Sequence, residues 1–257
     1  MKGITFFSVV PIRREPDETS EMVSQLFFGE TFNIEQQTEK WAEIVTHWDQ
    51  YSGWIDKKML TEIQDNDFEK LKKVPKTITL PVCTKIIEKK TRLLQLLPAG
   101  SVLYNFDSGL KNAFFMSKSF TVEDYDNTLQ NASVVEIAKQ FLNAPYLWGG
   151  KTYFGIDCSG FSQLVYRLRS IPLPRDAKDQ ALIGSDVNMV HEVNPGDLAF
   201  FDNEAGDIIH VGILIDSRTI IHASGKVKID RFDQQGIYDI EQKKYSHKLR
   251  IIKRIID

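Results

Sequence analysis

Cysteine is almost absent: the 257 residues include Cys83 and Cys158 and no other. A disulfide framework and a cysteine-based zinc site are thereby excluded, and no HExxH or CxxC pairing points to a metal by another route. A thiol in this chain is either buried filler or a nucleophile. No apolar run approaches the ~18 residues of a membrane-spanning helix, and no long basic block marks a nucleic-acid arm. With 32 basic against 35 acidic side chains the net charge is only −3, and hydrophobic residues make up 42%, values of an ordinary soluble globular protein. The length exceeds the usual ~100–200 residues per domain, so two or three units are expected.

The opening stretch from Ile4 to Val10 is apolar, but Ser8 interrupts it and Pro11, Arg13 and Arg14 follow, which is too short for the apolar centre of a signal peptide. It reads as a first strand. From Phe6 to about Leu60, short alternating runs are separated by polar turns such as Gly29-Glu30 and Tyr51-Ser52-Gly53, the pattern of a small barrel. Val10-Pro11-Ile12-Arg13, Phe28-Gly29-Glu30, Trp41 and Gly53-Trp54-Ile55, in that order, make residues 1–60 similar to a bacterial SH3-like domain. A polar linker with eight charged residues, Thr61 to Lys76, precedes a second strand-rich block. There Leu96 to Leu103 echoes Leu26 to Phe32, so residues 77–123 are expected to form a second, diverged SH3-like barrel; the alternative is a strand-rich connector that does not fold independently.

After the acidic segment Val122 to Asn131 the texture changes. Ser133 can cap a helix whose apolar stripe is Val134, Val135, Ile137, Ala138 and Phe141. A second helix is predicted from about Ser159 to Ser170, with Phe161, Leu164, Val165 and Leu168 on one face and Pro172 and Pro174 beyond its end. Strands follow near 197–201, 208–215, 219–223, 226–229 and 249–255, so residues 130–257 are predicted to be an α+β domain.

Cys158 stands at the start of the predicted second helix, within Asp157-Cys158-Ser159-Gly160-Phe161. Free N–H groups and the positive end of the helix dipole favour a thiolate there, and the same N–H groups can serve an oxyanion. Gly160 permits close approach of backbone or substrate. Of the five histidines, His210 and His222 lie in predicted strands of this domain; adjacent strands could bring them together, completing a nucleophile, base and orienter. A strand histidine alone is more often a satisfied core residue, and a free cysteine more often a small buried hydrophobe.

Five segments, in order, carry a family resemblance: Tyr146-x-Trp148-Gly149-Gly150, Asp157-Cys158-Ser159-Gly160-Phe161, Pro195-Gly196-Asp197-Leu198, His210-Val211-Gly212-Ile213 and Ile221-His222-Ala223-Ser224. On these, residues 130–257 resemble the NlpC-type, papain-like cell-wall peptidases. The resemblance implies Cys158 as nucleophile, His210 as base, His222 as third member, Tyr146 as hydroxyl donor to the oxyanion region, and Asp157 and Ser159 as substrate-facing groups. Trp148 is a substrate-binding candidate, or else packs under its loop. Two barrels before such a domain resemble the γ-D-glutamyl-L-diamino acid endopeptidases of murein-peptide recycling, in which the first barrel recognises a free N-terminal L-alanine. By position Glu15 and Tyr51 match that role; read without the resemblance they are an exposed loop charge and a turn aromatic. Arg175, Asp176 and Gln180 could line the groove or cap it, and Cys83 is expected in a barrel core.

The implied protein is thus a papain-like α+β catalytic domain after two all-β SH3-like barrels. It would act on murein peptides without metal or cofactor, in the cytoplasm, or in the periplasm or outside the cell if a signal was trimmed; its oligomeric state is open, and a monomer is plausible. Two other readings stay open: a non-catalytic peptidoglycan-binding protein, and a cell-wall amidase of the same fold acting on intact peptidoglycan.

Overall fold

The computed structural model describes residues 1–80, 82–125 and 128–256. Asp126 and Asn127 of the acidic segment lie outside the described residues. The chain divides into two compact units, Met1–Gln130 and Asn131–Asp257.

In the first unit, Lys2–Ile4, Val9–Arg13, Met22–Phe27, Thr31–Gln37, Trp41–Thr46, Ser52–Asp56 and Thr61–Ile63 form one seven-stranded sheet, the SH3-like barrel expected. The apolar opening supplies two strands rather than one. Alternation is preserved in the packing: Val10, Ile12, Ala42, Ile44 and Ile55 point into a shared core.

The expected linker is the larger departure. Thr61–Ile63 pairs with Lys2–Ile4, and Asp65–Lys73 is a helix that buries Phe68 and Leu71 while its charges face water. Charge density concealed a narrow apolar stripe, since two residues one turn apart suffice to seat a short helix. The second block folds as a four-stranded sheet of Cys83–Glu88, Leu94–Pro98, Asn112–Phe115 and Lys118–Val122, with Lys76–Ile78 paired to Val102–Tyr104. Its core is not its own. Ile4, Phe28 and Ile63 pack in one cluster with Ile86, Leu97 and Phe120, and the Phe28 and Phe120 rings meet edge to face at 5.4 Å. Backbone and side chain reinforce the join: Val102 N–H donates to Phe28 O at 2.8 Å, and the Tyr104 hydroxyl donates to Gly29 O at 2.9 Å. Cys83 is half-buried at a strand start rather than fully in the core.

The second unit is α+β. Ser133 caps Val134–Lys139 through a reciprocal box with Glu136, as its position implied. The nucleophile-candidate helix runs Cys158–Arg167, with Phe161, Leu164 and Val165 fully enclosed. Leu198–Asp202, Ile208–Asp216, Thr219–Ser224, Lys226–Asp233, Gly236–Asp239 and Lys244–Arg254 follow one another antiparallel, and the last pairs with both the first and the fifth. The sheet therefore closes on itself. Phe201, Leu214, Ile220, Phe232 and Ile237 fill its interior.

A shared core in the first unit predicts that damage in the second sheet is felt in the first. In a Trp148→Phe background, where fluorescence comes from Trp41, Trp48 and Trp54, Phe120→Ala should lower the stability read by denaturant unfolding by about 3–5 kcal/mol. An unchanged midpoint would mean that the two sheets fold separately.

Candidate active site

Asp157 ends an extended segment and caps the helix: its Oδ1 accepts the Gly160 N–H at 2.6 Å. The same carboxylate accepts the Gly149 N–H at 2.9 Å through Oδ2 and holds Arg175 in a two-pronged pair, Nη1 to Oδ1 at 3.1 Å and Nη2 to Oδ2 at 2.5 Å. Both partners are buried. Ser159 turns inward as well, its hydroxyl accepting Arg175 Nη1 at 2.8 Å. Gln180 donates to Ser159 O at 3.0 Å and accepts the Ser162 hydroxyl at 2.6 Å. Asp157 and Ser159, expected to face substrate, are both buried and both meet Arg175. Their polar atoms are spent on capping, on the Trp148 loop and on Arg175, because a buried carboxylate is tolerated only when its charge and lone pairs are met. Arg175 and Gln180 brace the helix.

Cys158 is 7% exposed, and the backbone N–H groups of Ser159 and of Val211, one residue on from His210, act on its thiol in the direction of the thiolate. Burial, and then the Asp157 charge, push the thiol up to about 11, outweighing the N–H groups and Arg175 that favour the thiolate. Burial and the Asp157 charge thus oppose the thiolate that the helix start alone favours.

His210 and His222 are both buried, on neighbouring strands where Gly212 lies opposite His222. His210 Nε2 faces His222 Nδ1 at 2.9 Å. A Cβ on Gly212 would stand 2.9 Å from His222 Cβ and 2.6 Å from Ile220 Cδ1, so the glycine makes room for the ring. The row continues past the expected pair: His222 Nε2 lies 3.1 Å from Asp230 Oδ2, and Lys228 Nζ lies 3.1 Å from that oxygen and 2.7 Å from Asp239 Oδ2. Hydrogen bonds from His222, Ile240 and Lys228 overcome burial and hold Asp230 at about 2.

His247, on Lys244–Arg254, stacks on His210 with ring centroids 4.1 Å apart. Burial, then the neighbouring imidazole and Lys228, depress it to about 4. His210 is held well below the ordinary histidine range by burial, then by His222 and His247.

Asp230 and His247 escaped the sequence reading because both predicted strands were drawn too short. The period-two run Tyr245, His247, Leu249 was the available signal; for Asp230 only its alternation with Lys228 hinted at a shared face.

Tyr146 is anchored by its N–H to Gly225 O at 2.9 Å, beside the end of the His222 strand. Burial and the neighbouring Cys158 and Asp157 charges raise its phenol to about 12, which keeps it a neutral donor. Trp148 is 61% exposed, so it does not pack under its loop. In the first unit, Glu15 is exposed in the loop after Val9–Arg13, and Tyr51 is half-buried against the barrel core just before Ser52–Asp56. Arg13 pairs with Trp54, so the antiparallel register carries the chain after Arg13 toward the Tyr51 end. Among the described residues no cluster of His, Cys, Asp or Glu is suited to a metal, and no helix is long and apolar enough to cross a membrane.

Residues 143–247 match the NlpC/P60 family. The second unit carries an NlpC/P60 domain. Residues 12–60 match the bacterial dipeptidyl-peptidase SH3 domain. The chain is similar to a γ-D-glutamyl-L-lysine dipeptidyl-peptidase of Bacillus cereus, 27% identical over 79% of this chain and 68% of that one. It is 24% identical to dipeptidyl-peptidase 6 of Lysinibacillus sphaericus over 91% and 93%. The NlpC/P60 part is 41% identical to the probable endopeptidase NlpC of Escherichia coli over 37% of this chain and 62% of that one. A crystal structure of an NlpC/P60 family protein from Bacillus cereus shares the fold, with a TM-score of 0.84 and 18% identity across the full length of both chains.

Two outcomes follow for the NlpC/P60 domain. Arg175→Met leaves the Asp157 carboxylate buried without its countercharge and should cost about 3–5 kcal/mol in thermal or denaturant unfolding; a loss under 1 kcal/mol would show the pair to be dispensable. In a Cys83→Ser chain, the rate of Cys158 alkylation should still be rising above pH 9, as a thiol near 11 requires. A plateau below pH 7 would show a resting thiolate instead.

Proposed function

We propose that the protein is a cysteine peptidase that cleaves the bond between the γ-carboxyl of D-glutamate and the following diamino acid in murein peptides, releasing L-Ala-γ-D-Glu. The carrying observation is a buried row, His210, His222, Asp230, in the same unit as the buried Cys158 that opens the helix Cys158–Arg167. The relatives named γ-D-glutamyl-L-lysine dipeptidyl-peptidase supply the substrate class, and lysine or diaminopimelate is the diamino acid.

In the mechanism, His210 takes the Cys158 proton as the sulfur attacks the γ-carbonyl, so the nucleophile is charged only when a substrate is present to receive it. The depressed basicity of His210 keeps it neutral and able to accept that proton at neutral pH. His222 orients it. The tetrahedral oxyanion takes a hydrogen bond from the neutral Tyr146 hydroxyl, a donor type worth about 2.7–4 kcal/mol where measured. Imidazolium His210 then protonates the departing amine, and water, deprotonated by the same ring, releases the dipeptide from the thioester.

Recognition of a free N-terminal amine is assigned to Glu15 and Tyr51, supported by the match of residues 12–60 to a dipeptidyl-peptidase SH3 domain. Trp148 offers an exposed apolar face to the peptide. In this reading residues 1–60 are the SH3-like barrel, 77–123 a second block that shares its core, and 130–257 the peptidase domain. A substrate already free of glycan suits a cytoplasmic site of action.

The test is hydrolysis of L-Ala-γ-D-Glu-L-Lys and its diaminopimelate counterpart, alongside their N-acetylated forms. Cleavage of the free-amine peptides, abolished by Cys158→Ala and much weaker on the acetylated forms, is expected. Equal rates on both forms reject amine recognition, and activity surviving Cys158→Ala rejects the nucleophile. The acid limb of kcat/KM should lie below pH 6.5, since His210 must lose its proton to act and its pKa is lowered.

A further inference from the structure

We propose that Asp230 is a positioning residue that sets the tautomers of both His222 and His210, and so decides which nitrogen of His210 is free to accept the Cys158 proton. The proposal rests on the reading of Cys158 and His210 as nucleophile and base.

Each imidazole in the row can donate or accept at either nitrogen, whereas an ionised carboxylate only accepts. Asp230 is ionised, and its orientation is fixed from behind, because Oδ1 accepts the Ile240 N–H at 3.0 Å and leaves Oδ2 toward His222. His222 Nε2, 3.1 Å from Oδ2, therefore carries a proton. Lys228 already supplies the countercharge at Oδ2, so a single N–H from His222 satisfies the carboxylate. Its Nδ1 is then a lone pair, and the proton in the 2.9 Å contact between the rings belongs to His210 Nε2. His210 Nδ1 is left as the basic nitrogen. Strand register builds this row: His222 lies opposite Lys228, and Asp230 is two residues further along the same face. His247, stacked on His210, limits the ring's freedom to turn over.

The isosteric change Asp230→Asn inverts the instruction. Ile240 N–H still demands an oxygen, which aims the new NH2 at His222 Nε2. His222 must then accept at Nε2 and carry its proton on Nδ1, His210 must accept at Nε2, and His210 Nδ1 becomes protonated. Lys228 keeps Asp239 as a partner.

Long-range 1H–15N correlation spectra of the imidazoles in the full chain test this directly. The wild-type protein should show both His210 and His222 protonated on Nε2; a proton on His222 Nδ1 or His210 Nδ1 overturns the proposal, with no variant needed. In Asp230→Asn both rings should switch to Nδ1–H, and kcat/KM for L-Ala-γ-D-Glu-L-Lys should fall roughly a thousand- to ten-thousand-fold, the scale seen when the acid of a nucleophile, histidine and aspartate set becomes its amide. Unchanged tautomers, or a loss under tenfold, overturn it. The spectra need no turnover. Nε2–H rings in a protein inert toward these peptides reject the peptidase reading and leave the tautomer assignment standing, and an active enzyme with Nδ1–H rings does the reverse.

Discussion

The Asp157 carboxylate holds three separate pieces of chain in one place, and the geometry around Cys158 depends on it. It caps the helix through Gly160, ties down the Trp148 loop through Gly149, and receives Arg175 from the segment after the helix. Hydrogen bonds to a charged group are each worth about 1.5–3 kcal/mol, and a buried charge that lost its partner would cost more than any one of them. The helix start, the loop bearing Tyr146 and the downstream turn are therefore committed together. A cysteine on a helix end would otherwise fray with its first turn.

That anchoring has an electrostatic consequence. A buried carboxylate next to the thiol opposes the thiolate, and enclosure opposes it further, so two N–H donors and a guanidinium do not win. The histidine side shows the same sign, since enclosure and neighbouring imidazoles disfavour the imidazolium. Neutral thiol and neutral imidazole is the form in which neither group carries an unmet charge in a dry pocket. In the proposed mechanism reactivity is then tied to proton transfer from Cys158 to His210, and the nitrogen that accepts is set by the one member of the row that can only accept, Asp230.

Much of this was legible in the chain. Two cysteines in different settings, a capping Asp before Cys158, and apolar residues at helical spacing behind it located the helix Cys158–Arg167, because capping and amphipathic spacing are local. Alternation located the strands of His210 and His222, and the first barrel was written in its turns. The linker was misread, since two apolar residues among eight charges carried the helix Asp65–Lys73, and the second block's dependence on Phe28 and Ile4 has no local mark. His247 and Asp230 were missed for a related reason: both lie among polar residues near strand ends, where a propensity reading stops early although the closed sheet extends the pairing.

Local chemistry in the sequence determined which residue types stand at which element ends, and with them the helix that Cys158 opens and the strands that carry His210 and His222. Tertiary structure alone decided what each polar group spends its hydrogen bonds on. Asp157 and Ser159, outward-looking on paper, are consumed by Arg175, while Asp230, unremarked in the sequence, closes the histidine row. A residue's type and spacing specify what it can donate or accept, but the partner is set by closure of a sheet and burial of a helix, which join residues far apart in the chain.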